Sequence, residues 1–357
     1  MENPDEVLFE ENARLAMAGK PMIAKLGAFA TDSGGHIPNL EIAYQTFGEF
    51  DGSNAILICH ALTGTSNVPG WWDRLAGPGK PIDTGKYFVI GNNLLGGCQG
   101  STGPSSLAPD GRIWGSRFPI LTVEDQVRAQ ELLLHSLKID GLHAVIGCST
   151  GGFHALRWAQ QHPIPVAKVA VTASGPRQNA LQLALNEAGR QAIMRDPKWQ
   201  GGDYPSDDPP KNGLAIARMI GHIAYLSGQA LEQKFGRNPQ GSSAGLSFDP
   251  EFAVESYLNY QGDKFNERFD ANSYLHLTRS ANFFDLQSLE GAGSEFIFIS
   301  FASDTLYPPK LSEELMRMAI SAGCKAEIAI IDQPYGHDSF LLDGEGQGSA
   351  IRAFIST

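Results

Sequence analysis

The sequence predicts an α/β fold in which a mainly parallel, doubly wound sheet is interrupted by a block of inserted helices. Short apolar runs alternate with amphipathic segments along much of the 357 residues, which is the pattern of strands joined by crossover helices. One apolar run, residues 142–146, leads into a Gly-Cys-Ser-Thr-Gly turn, and a helix-like segment follows the turn. In sheets of this class, reactive residues collect at the carboxyl ends of the strands.

The apolar runs are predicted to be strands, and the amphipathic segments between the later runs are predicted to be helices. The strands are expected at residues 41–46, 55–59, 87–91, 143–146, 166–173, 295–301 and 326–332. Segments such as residues 123–137, 153–161 and 311–322 are the expected helices. Strands separated by helices in this way form parallel pairs, which is why a doubly wound sheet is predicted.

The alternation stops between residues 175 and 289. Here helix-like segments are separated by a polar, Pro-rich stretch and by a Gly/Ser-rich stretch. The helical segments are residues 180–194, 214–226, 252–265 and 273–282, and the separators are residues 203–210 and 241–245. We therefore predict a catalytic core formed by residues 1–174 and 290–357, with residues 175–289 inserted as a helical cap over the active site.

The turn at residues 147–151 matches the Gly-x-Ser-x-Gly pattern of a nucleophile elbow. Such a turn holds its serine in a strained backbone conformation, and the flanking glycines remove side chains that would block the hydroxyl. The sequence therefore predicts Ser149 as a catalytic nucleophile. The alternatives are a plain Gly-rich turn, or Cys148 as the nucleophile; the latter is disfavoured because a side chain at the strand end points away from the site.

A serine nucleophile needs a general base and an acid that orients the base, and in elbow enzymes the order along the chain is serine, acid, histidine. Among the histidines beyond Ser149, His337 alone follows a late strand and is the predicted base. The others lie on or beside predicted helices, where packing or surface positions are expected: His154, His162, His222 and His276. Asp304, directly after the strand at residues 295–301, is the predicted acid, and Asp332 is the alternative.

The oxyanion formed at the reacting carbonyl needs two hydrogen-bond donors. One is predicted to be the N–H of Thr150, which follows the nucleophile at the start of a helix. The other is predicted to be the N–H of Leu62, in the loop after the strand at residues 55–59. His60 stands in the same loop but precedes Ser149, so residue order favours a structural hydrogen bond over a role as the base.

Composition and missing motifs disfavour several other classes of function. A formal net charge of -12 disfavours nucleic acids and anionic membranes as partners. The four cysteines form no Cys-x-x-Cys pair, which favours reduced thiols over a disulfide framework or a zinc site. Residues 1–11 are acidic, and no apolar run approaches the roughly 18 residues of a membrane helix. Dinucleotide-binding, P-loop and zinc-protease motifs are also missing, so we expect a soluble cytoplasmic protein without a metal.

Several long strings of residues are similar to those of one known family. In the core they are residues 60–64, 70–73, 77–84, 94–104 and 335–338, and in the predicted cap they are residues 217–222, 257–262 and 270–274. These strings resemble the homoserine O-acetyltransferase family of α/β-hydrolase-fold acyltransferases, and the resemblance covers nearly the whole chain. It implies the α/β-hydrolase fold, acetyl-CoA or another acyl-CoA as co-substrate, a ping-pong reaction through an acyl-serine, a homodimer formed through the caps, and no metal.

The resemblance also implies a site for an amino-acid acceptor. Arg218 in the cap would bind the acceptor's carboxylate, Asp338 would bind its ammonium group, and Tyr225 would add a hydrogen bond. Thr63, next to Leu62, is assigned to the same site. Each of the first three has a structural alternative: a surface ion pair for Arg218, a core position for Tyr225 and a helix N-cap for Asp338.

Some residues around the nucleophile differ from the family pattern and leave the substrates open. Most relatives have Met in place of Thr150, Gly or Ala in place of Cys148, and Met or Leu in place of Phe153, and many bacterial relatives have an Asp and a His within residues 65–67. The predicted triad is unaffected. Succinyl-CoA as the donor, L-serine as the acceptor and hydrolysis of short-chain acetate esters stay open as alternatives, although the apolar Leu306 after the predicted acid favours acetyl over succinyl.

Overall fold

The central feature of the computed structural model, which describes residues 19–161, 164–239 and 248–357, is an eight-stranded sheet. The strands are β1 Met22–Ala30, β2 His36–Phe47, β3 Ala55–Cys59, β4 Ala76–Gly77, β5 Ile82–Asp83, β6 Phe88–Asn92, β7 Leu142–Cys148, β8 Val166–Thr172, β9 Glu295–Phe301 and β10 Ala326–Ile331. Strands β4 and β5 pair with each other, and the others form the sheet in the order β1-β2-β6-β3-β7-β8-β9-β10. The acidic segment 1–11, His162 and the segment 241–245 lie outside the described residues.

The sheet is parallel over most of its width and antiparallel at one edge. The pairs from β6 through β3, β7, β8 and β9 to β10 are parallel, whereas β1 and β6 each pair antiparallel with β2. The carboxyl ends of β3, β7 and β9 therefore meet at the same edge of the sheet, where reactive residues are expected. The predicted α/β class is confirmed.

The predicted strands are all present, but the edge of the sheet was incompletely predicted. β2 begins at His36 rather than at residue 41, and β1 was not predicted. In β1 the pairing register shifts on both sides of Gly27, which has a φ angle of 79°. These irregularities break the two-residue period by which a strand is recognised in a sequence.

The helices are α1 Val68–Trp71, α2 Val123–Ser136, α3 Gly151–Gln161, α4 Ala180–Met194, α5 Lys211–Tyr225, α6 Gly228–Lys234, α7 Ala253–Asn266, α8 Ala271–Phe283, α9 Pro309–Ser321, α10 Ser339–Leu342 and α11 Gly346–Ser356. Capping boxes fix the starts of two of them: Thr122 with Asp125 at α2, and Asn179 with Gln182 at α4. In the described residues, no helix combines the length and the hydropathy needed to cross a bilayer.

Helices α4 to α8 lie between β8 and β9 and are called the cap below. α4 has the predicted bounds, and α5, α7 and α8 differ from the predicted segments by three residues or fewer at either end. The short α6 was not predicted, because seven residues give too few turns for a helical period to be recognised. The division at residues 175 and 289 and the role of the cap as a lid stay predictions.

Helices pack against both faces of the sheet. Phe153 and Trp158 of α3 belong to a buried cluster with Val145 of β7. The next residue of β7, Ile146, points to the opposite face and packs in a second cluster with Phe340 of α10. The centre of the sheet is thus buried on both faces, between two hydrophobic clusters.

Candidate active site

Ser149 stands at the carboxyl end of β7, directly before α3. Its φ angle is 54°, in the left-handed region that residues with a side chain seldom adopt. The N–H of Ser149 donates to the carbonyl of Thr172 at 2.9 Å, which ties the turn to β8. The backbone geometry of a nucleophile elbow is therefore present at the predicted position.

Gly147 and Gly151 make room for backbone atoms. A Cβ atom at Gly151 would lie 2.0 Å from the carbonyl oxygen of Cys59, and one at Gly147 would lie 2.2 Å from the carbonyl oxygen of Gly151. Neither position accepts a side chain without a backbone shift. These glycines thus let β7, α3 and the end of β3 approach one another, and the expectation that they also uncover the serine hydroxyl stays a prediction.

His337 links Ser149 to Asp304. Its Nε2 lies 2.8 Å from Ser149 Oγ, and its Nδ1 lies 2.8 Å from Asp304 Oδ2. Because a carboxylate only accepts hydrogen bonds, Nδ1 carries the proton and Nε2 is left free to accept from the serine hydroxyl. This is the geometry of a serine nucleophile with an oriented general base.

The acid of this arrangement is Asp304. Its second carboxylate oxygen accepts the N–H groups of Leu306 and Tyr307, each at 2.8 Å, so both oxygens have partners. Asp304 is 2% exposed, whereas the alternative, Asp332, is exposed at the end of β10. The Tyr307 ring stacks on the His337 ring with centroids 5.2 Å apart, which holds the imidazole in place.

The two predicted oxyanion donors are available. In the described part of the chain, the N–H groups of Leu62 and Thr150 donate to no protein acceptor, and both residues line cavities that reach Ser149. Unpaired N–H groups beside a nucleophile suit the negative oxygen of a tetrahedral intermediate. In the same loop as Leu62, the Nδ1 of His60 lies 2.6 Å from the carbonyl of Ala61, and burial lowers the pKa of His60 to about 4; this is the predicted structural contact.

Cys148 is enclosed on the far side of the turn. Its thiol is fully buried and points at the carbonyl of Cys59, 3.9 Å away. Burial raises the pKa of the Cys148 thiol well above its usual range, and a protonated thiol is a poor nucleophile. The geometry therefore disfavours Cys148 as the nucleophile.

One cavity lies on the His337 side of Ser149 and is called the His337 cavity. It brings together predicted residues from the loop after β3, from α5 and from the turn before α10. Its lining includes Leu62, Thr63, Ser149, Arg218, Tyr225, His337 and Asp338. The residues predicted to bind an amino acid thus border one space, next to the residues predicted to react.

Arg218 and Asp338 place opposite charges in this cavity. Among the described residues, Arg218 has no carboxylate within ion-pair distance; its guanidinium lies over the rings of Phe265 and Tyr225, at 4.8 and 5.9 Å from their centroids. Asp338 is the N-cap residue of α10, but its side chain makes no capping bond. Burial raises the pKa of Asp338, while His337 and Arg218 act in the opposite direction. The surface-ion-pair and capping alternatives are therefore not supported.

Two further residues of the His337 cavity were missed. Arg268 lines it and donates from Nη1 to the carbonyl of Thr63 at 3.0 Å. His222, expected to have a packing or surface position, is 3% exposed and also lines the cavity. The sequence held a signal for His222, because Arg218, His222 and Tyr225 lie four and then three residues apart and so share one face of α5.

A second cavity, the Thr150 cavity, also reaches Ser149 and shares Leu62 and Tyr225 with the His337 cavity. Its lining includes Leu62, Ser149, Thr150, Gln178, Gln182, Asn186, Ala224, Leu306 and Tyr307. Among the described residues that line it, none has an ionisable acid or base apart from the phenols. Likewise, the described residues contain no group of three or more His, Cys, Asp and Glu side chains arranged to hold a metal ion.

Comparisons with known proteins agree with this architecture. A family model described as "alpha/beta hydrolase fold" matches residues 54–343. The homoserine O-acetyltransferase of Caulobacter vibrioides (strain NA1000 / CB15N) is 46% identical in an alignment of 349 residues that covers 91% of this chain and 91% of that protein.

Solved structures resemble the chain over nearly its full length. A homoserine O-acetyltransferase from Bacillus anthracis is 27% identical with a TM-score of 0.87, covering 95% of this chain and 98% of that one. Esterase E22 is also 27% identical, with a TM-score of 0.85 over 94% of this chain and 99% of that one. A transferase and an esterase thus share this fold, and the higher sequence identity is to a transferase.

Proposed function

The chain belongs to the homoserine O-acetyltransferase family of the α/β-hydrolase fold, and from that premise we propose that it transfers acetyl from acetyl-CoA to the hydroxyl of L-homoserine. The observation that carries the proposal is the His337 cavity, in which Ser149 and His337, with Asp304 hydrogen-bonded to His337, lie beside the opposite charges of Arg218 and Asp338. The proposed chemistry requires no metal or prosthetic group; acetyl-CoA is a co-substrate.

In the first half-reaction, Ser149 Oγ attacks the thioester carbonyl while His337 Nε2 takes the serine proton. Asp304 stabilises the imidazolium, and the N–H groups of Leu62 and Thr150 stabilise the oxyanion. The intermediate collapses by breaking the carbon–sulfur bond, and the proton on His337 passes to the leaving CoA sulfur. The product is an acetyl ester on Ser149.

In the second half-reaction, the hydroxyl of homoserine gives its proton to His337 Nε2 and its oxygen attacks the acetyl-serine. The new tetrahedral intermediate collapses by breaking the bond between its carbon and Ser149 Oγ, His337 returns the proton to that oxygen, and O-acetylhomoserine is released. Arg218 would pair with the acceptor's carboxylate and Asp338 with its ammonium group, and Tyr225, whose pKa is raised by burial, would donate a hydrogen bond. Seating the acceptor in this way also keeps water away from the acyl-enzyme.

The Thr150 cavity supports a short neutral acyl group. The departing sulfur and the incoming hydroxyl must both lie at His337 Nε2, so the rest of the acyl group needs other space beside Ser149, and the Thr150 cavity offers it. There the wall includes Leu306 and Tyr307, and the described lining offers no cation for a terminal carboxylate. A succinyl group would bury an unpaired charge at this place, which favours acetyl-CoA over succinyl-CoA.

Hydrolysis of acetate esters is the second candidate, because the relay alone also suits an esterase and esterase E22 has the same fold. Two observations favour transfer: the 46% identity to a homoserine O-acetyltransferase, and the position of Arg218 and Asp338 in the His337 cavity. An esterase for simple acetates has no use for a pair of opposite charges in this cavity. L-serine is shorter by one methylene. With its hydroxyl at His337, its amino and carboxylate groups would therefore lie farther from Asp338 and Arg218.

A homodimer formed through the cap is part of the proposal. Helix α5 lines the His337 cavity with one face and exposes Ile216 and Ile223 on another, at 47% and 54% exposure. Apolar side chains that share an exposed helix face favour association with a partner.

The cysteines of the described residues are free, which supports a reducing compartment such as the cytoplasm.

The decisive experiment is a thiol-release assay with acetyl-CoA and succinyl-CoA, each offered with L-homoserine, L-serine or water as the acceptor. We expect release from acetyl-CoA that depends on homoserine and saturates with it. Equal release with and without homoserine, together with rapid hydrolysis of simple acetate esters, would establish the esterase instead. Preference for succinyl-CoA would contradict the assignment of the Thr150 cavity.

A further inference from the structure

His222 occupies a place in the His337 cavity that the proposed reaction has not used. It lies one turn after Arg218 on α5, and it borders the cavity together with Ser149 and Asp338. It is 3% exposed, so its polar atoms have left bulk water. A buried imidazole normally has partners for both nitrogens, because an unpaired one costs free energy.

Only one nitrogen of His222 has a partner among the described residues. Nδ1 lies 3.0 Å from the hydroxyl oxygen of Tyr257 on α7, whereas Nε2 is buried and has no hydrogen-bond partner. A ligand in the cavity is therefore the natural partner of Nε2. The comparable His276 on α8 also has an unpaired nitrogen, but it packs against Phe118 and does not line the His337 cavity.

The Tyr257 contact determines what Nε2 offers. A phenol is a better donor than acceptor towards an imidazole nitrogen, so Tyr257 donates to Nδ1 and the ring proton is on Nε2. Burial and the nearby cations Arg218, Arg268 and Lys234 lower the pKa of His222 well below its ordinary value. The imidazole is thus neutral near pH 7 and presents an N–H donor to the cavity.

The chemistry of the acceptor leaves one group for this donor. An ammonium group has no lone pair to accept a hydrogen bond, and the acceptor's hydroxyl must lie at His337 to be deprotonated. The carboxylate has more lone pairs than Arg218 alone satisfies. The nearby cations Arg218 and Arg268 favour an anion at the same end of the cavity.

We propose that His222 is a second carboxylate-binding residue, whose Nε2–H donates to the acceptor's carboxylate beside Arg218. This second contact fixes how the acceptor is rotated about the line that joins Arg218 to the carboxylate. The inference rests on the proposed function, since it assumes an amino-acid acceptor. A neutral donor suits the position, because it binds the second carboxylate oxygen without adding another buried charge. Tyr257 is then a positioning residue, because it acts through the tautomer of His222.

The test compares two acceptors in the same enzyme: L-homoserine, and 3-aminopropan-1-ol, which is homoserine without its carboxylate. His222→Leu should lower kcat/KM for homoserine by about tenfold or more, mainly through KM, because a hydrogen bond to a charged group is lost. The value for 3-aminopropan-1-ol should change by less than about twofold. His222→Gln, whose amide can place an N–H near the same point, should recover part of the loss. His276→Leu, the matched control in the cap, should change neither value.

Other results would overturn the inference. Equal losses for both acceptors would mean that His222 only packs in the cap, and no loss for either would mean that its Nε2–H is not used. Should His222→Leu fail to fold, Tyr257→Phe keeps the ring and removes the hydroxyl that fixes the tautomer of His222. This variant should lower kcat/KM for homoserine and leave the value for 3-aminopropan-1-ol nearly unchanged. An equal effect on both acceptors would contradict the proposal. A wild-type enzyme that ignores homoserine would instead refute the proposed function, which is a separate and recognisable failure.

Discussion

The core and the cap hold their active-site residues in different ways. In the core, both oxygens of Asp304 have partners, and His337 is fixed between Asp304 and Ser149. In the cap, Arg218 has no carboxylate partner among the described residues. Within the same residues, the Nε2 of His222 has no hydrogen-bond partner. The three triad residues of the core are paired with one another and with the backbone, whereas Arg218 and His222 of the cap leave polar groups that a ligand would satisfy.

This difference separates reaction from recognition. Groups that are paired before the substrate arrives need little rearrangement during the reaction, which is how an active site stabilises a transition state. Groups left unpaired in a buried wall gain most when a matching substrate binds. Substitutions in the core should therefore stop both half-reactions, and substitutions in the cap should impair the second one selectively.

The largest effect should come from Ser149→Ala. Removing the nucleophile should lower turnover on the order of 10⁴- to 10⁶-fold, since the relay acts as a unit. Circular dichroism should be unchanged, and a fluorophosphonate probe that labels the wild-type protein should no longer react. Cys148→Ala is the control and should keep its label. Substantial activity in Ser149→Ala, with labelling moved to Cys148, would contradict the assignment of the nucleophile.

A slightly smaller loss is expected for Asp304→Asn. The amide would hold His337 in the wrong tautomer, which costs on the order of 10⁴-fold in kcat. Asp332→Asn is the matched control: Asp332 is exposed at the end of β10, and its amide variant should have near-normal kcat. If Asp332→Asn proves to be the more damaging variant, the acid has been misassigned.

The cap is tested by Arg218→Ala, whose effect should be smaller and selective. Transfer to homoserine should fall by about ten- to a hundredfold, as expected for the loss of a charge-assisted pair. The pre-steady-state burst of CoA release should survive, and acetyl groups should pass slowly to water. Arg279→Ala, an exposed arginine of the same cap that lies over Phe283, is the control. An unaltered dependence on homoserine would mean that Arg218 does not bind the acceptor.

The smallest predicted effect concerns the stability of the core in acid. His154 of α3 contacts Gln126 of α2 at 2.9 Å, and burial lowers its pKa to about 3 from 6.5. As the pH falls below 6.5, the unfolded chain takes up a proton that the folded core excludes, so stability is full above pH 6.5 and decreases below it. His154 alone should remove about 2 kcal/mol between pH 7 and pH 5.

Urea unfolding at both pH values measures this difference. His154→Gln should unfold with a smaller pH dependence than the wild type, whatever its absolute stability. His36→Gln, which changes an exposed histidine at the start of β2, should leave the wild-type dependence unaltered. The same pH dependence in His154→Gln and the wild type would show that His154 is not the group responsible.

Much of the fold and of the catalytic triad could be predicted, because both follow from patterns that are local in the sequence. The apolar runs, the Gly-x-Ser-x-Gly turn and the order serine, acid, histidine are all visible along the chain, and the structure brings Ser149, Asp304 and His337 together. What could not be predicted depends on partners distant in the chain. The position of His222 in the cavity follows from the way α5 packs, and β1 is defined by its pairing with β2 rather than by its own period.

The contact at Gly151 has a consequence for laboratory evolution of this protein. A Cβ atom there would meet the carbonyls of both Cys59 and His60, while Thr150 precedes Gly151 and Leu62 lies two residues beyond His60. The start of the loop that carries one oxyanion donor and the turn that carries the other are thus in direct backbone contact at one glycine. Libraries that seek activity with a new acyl-CoA can vary residues of the cavity wall, for example Leu306. A side chain at position 151 would instead push apart the two oxyanion donors and displace the nucleophile in one step.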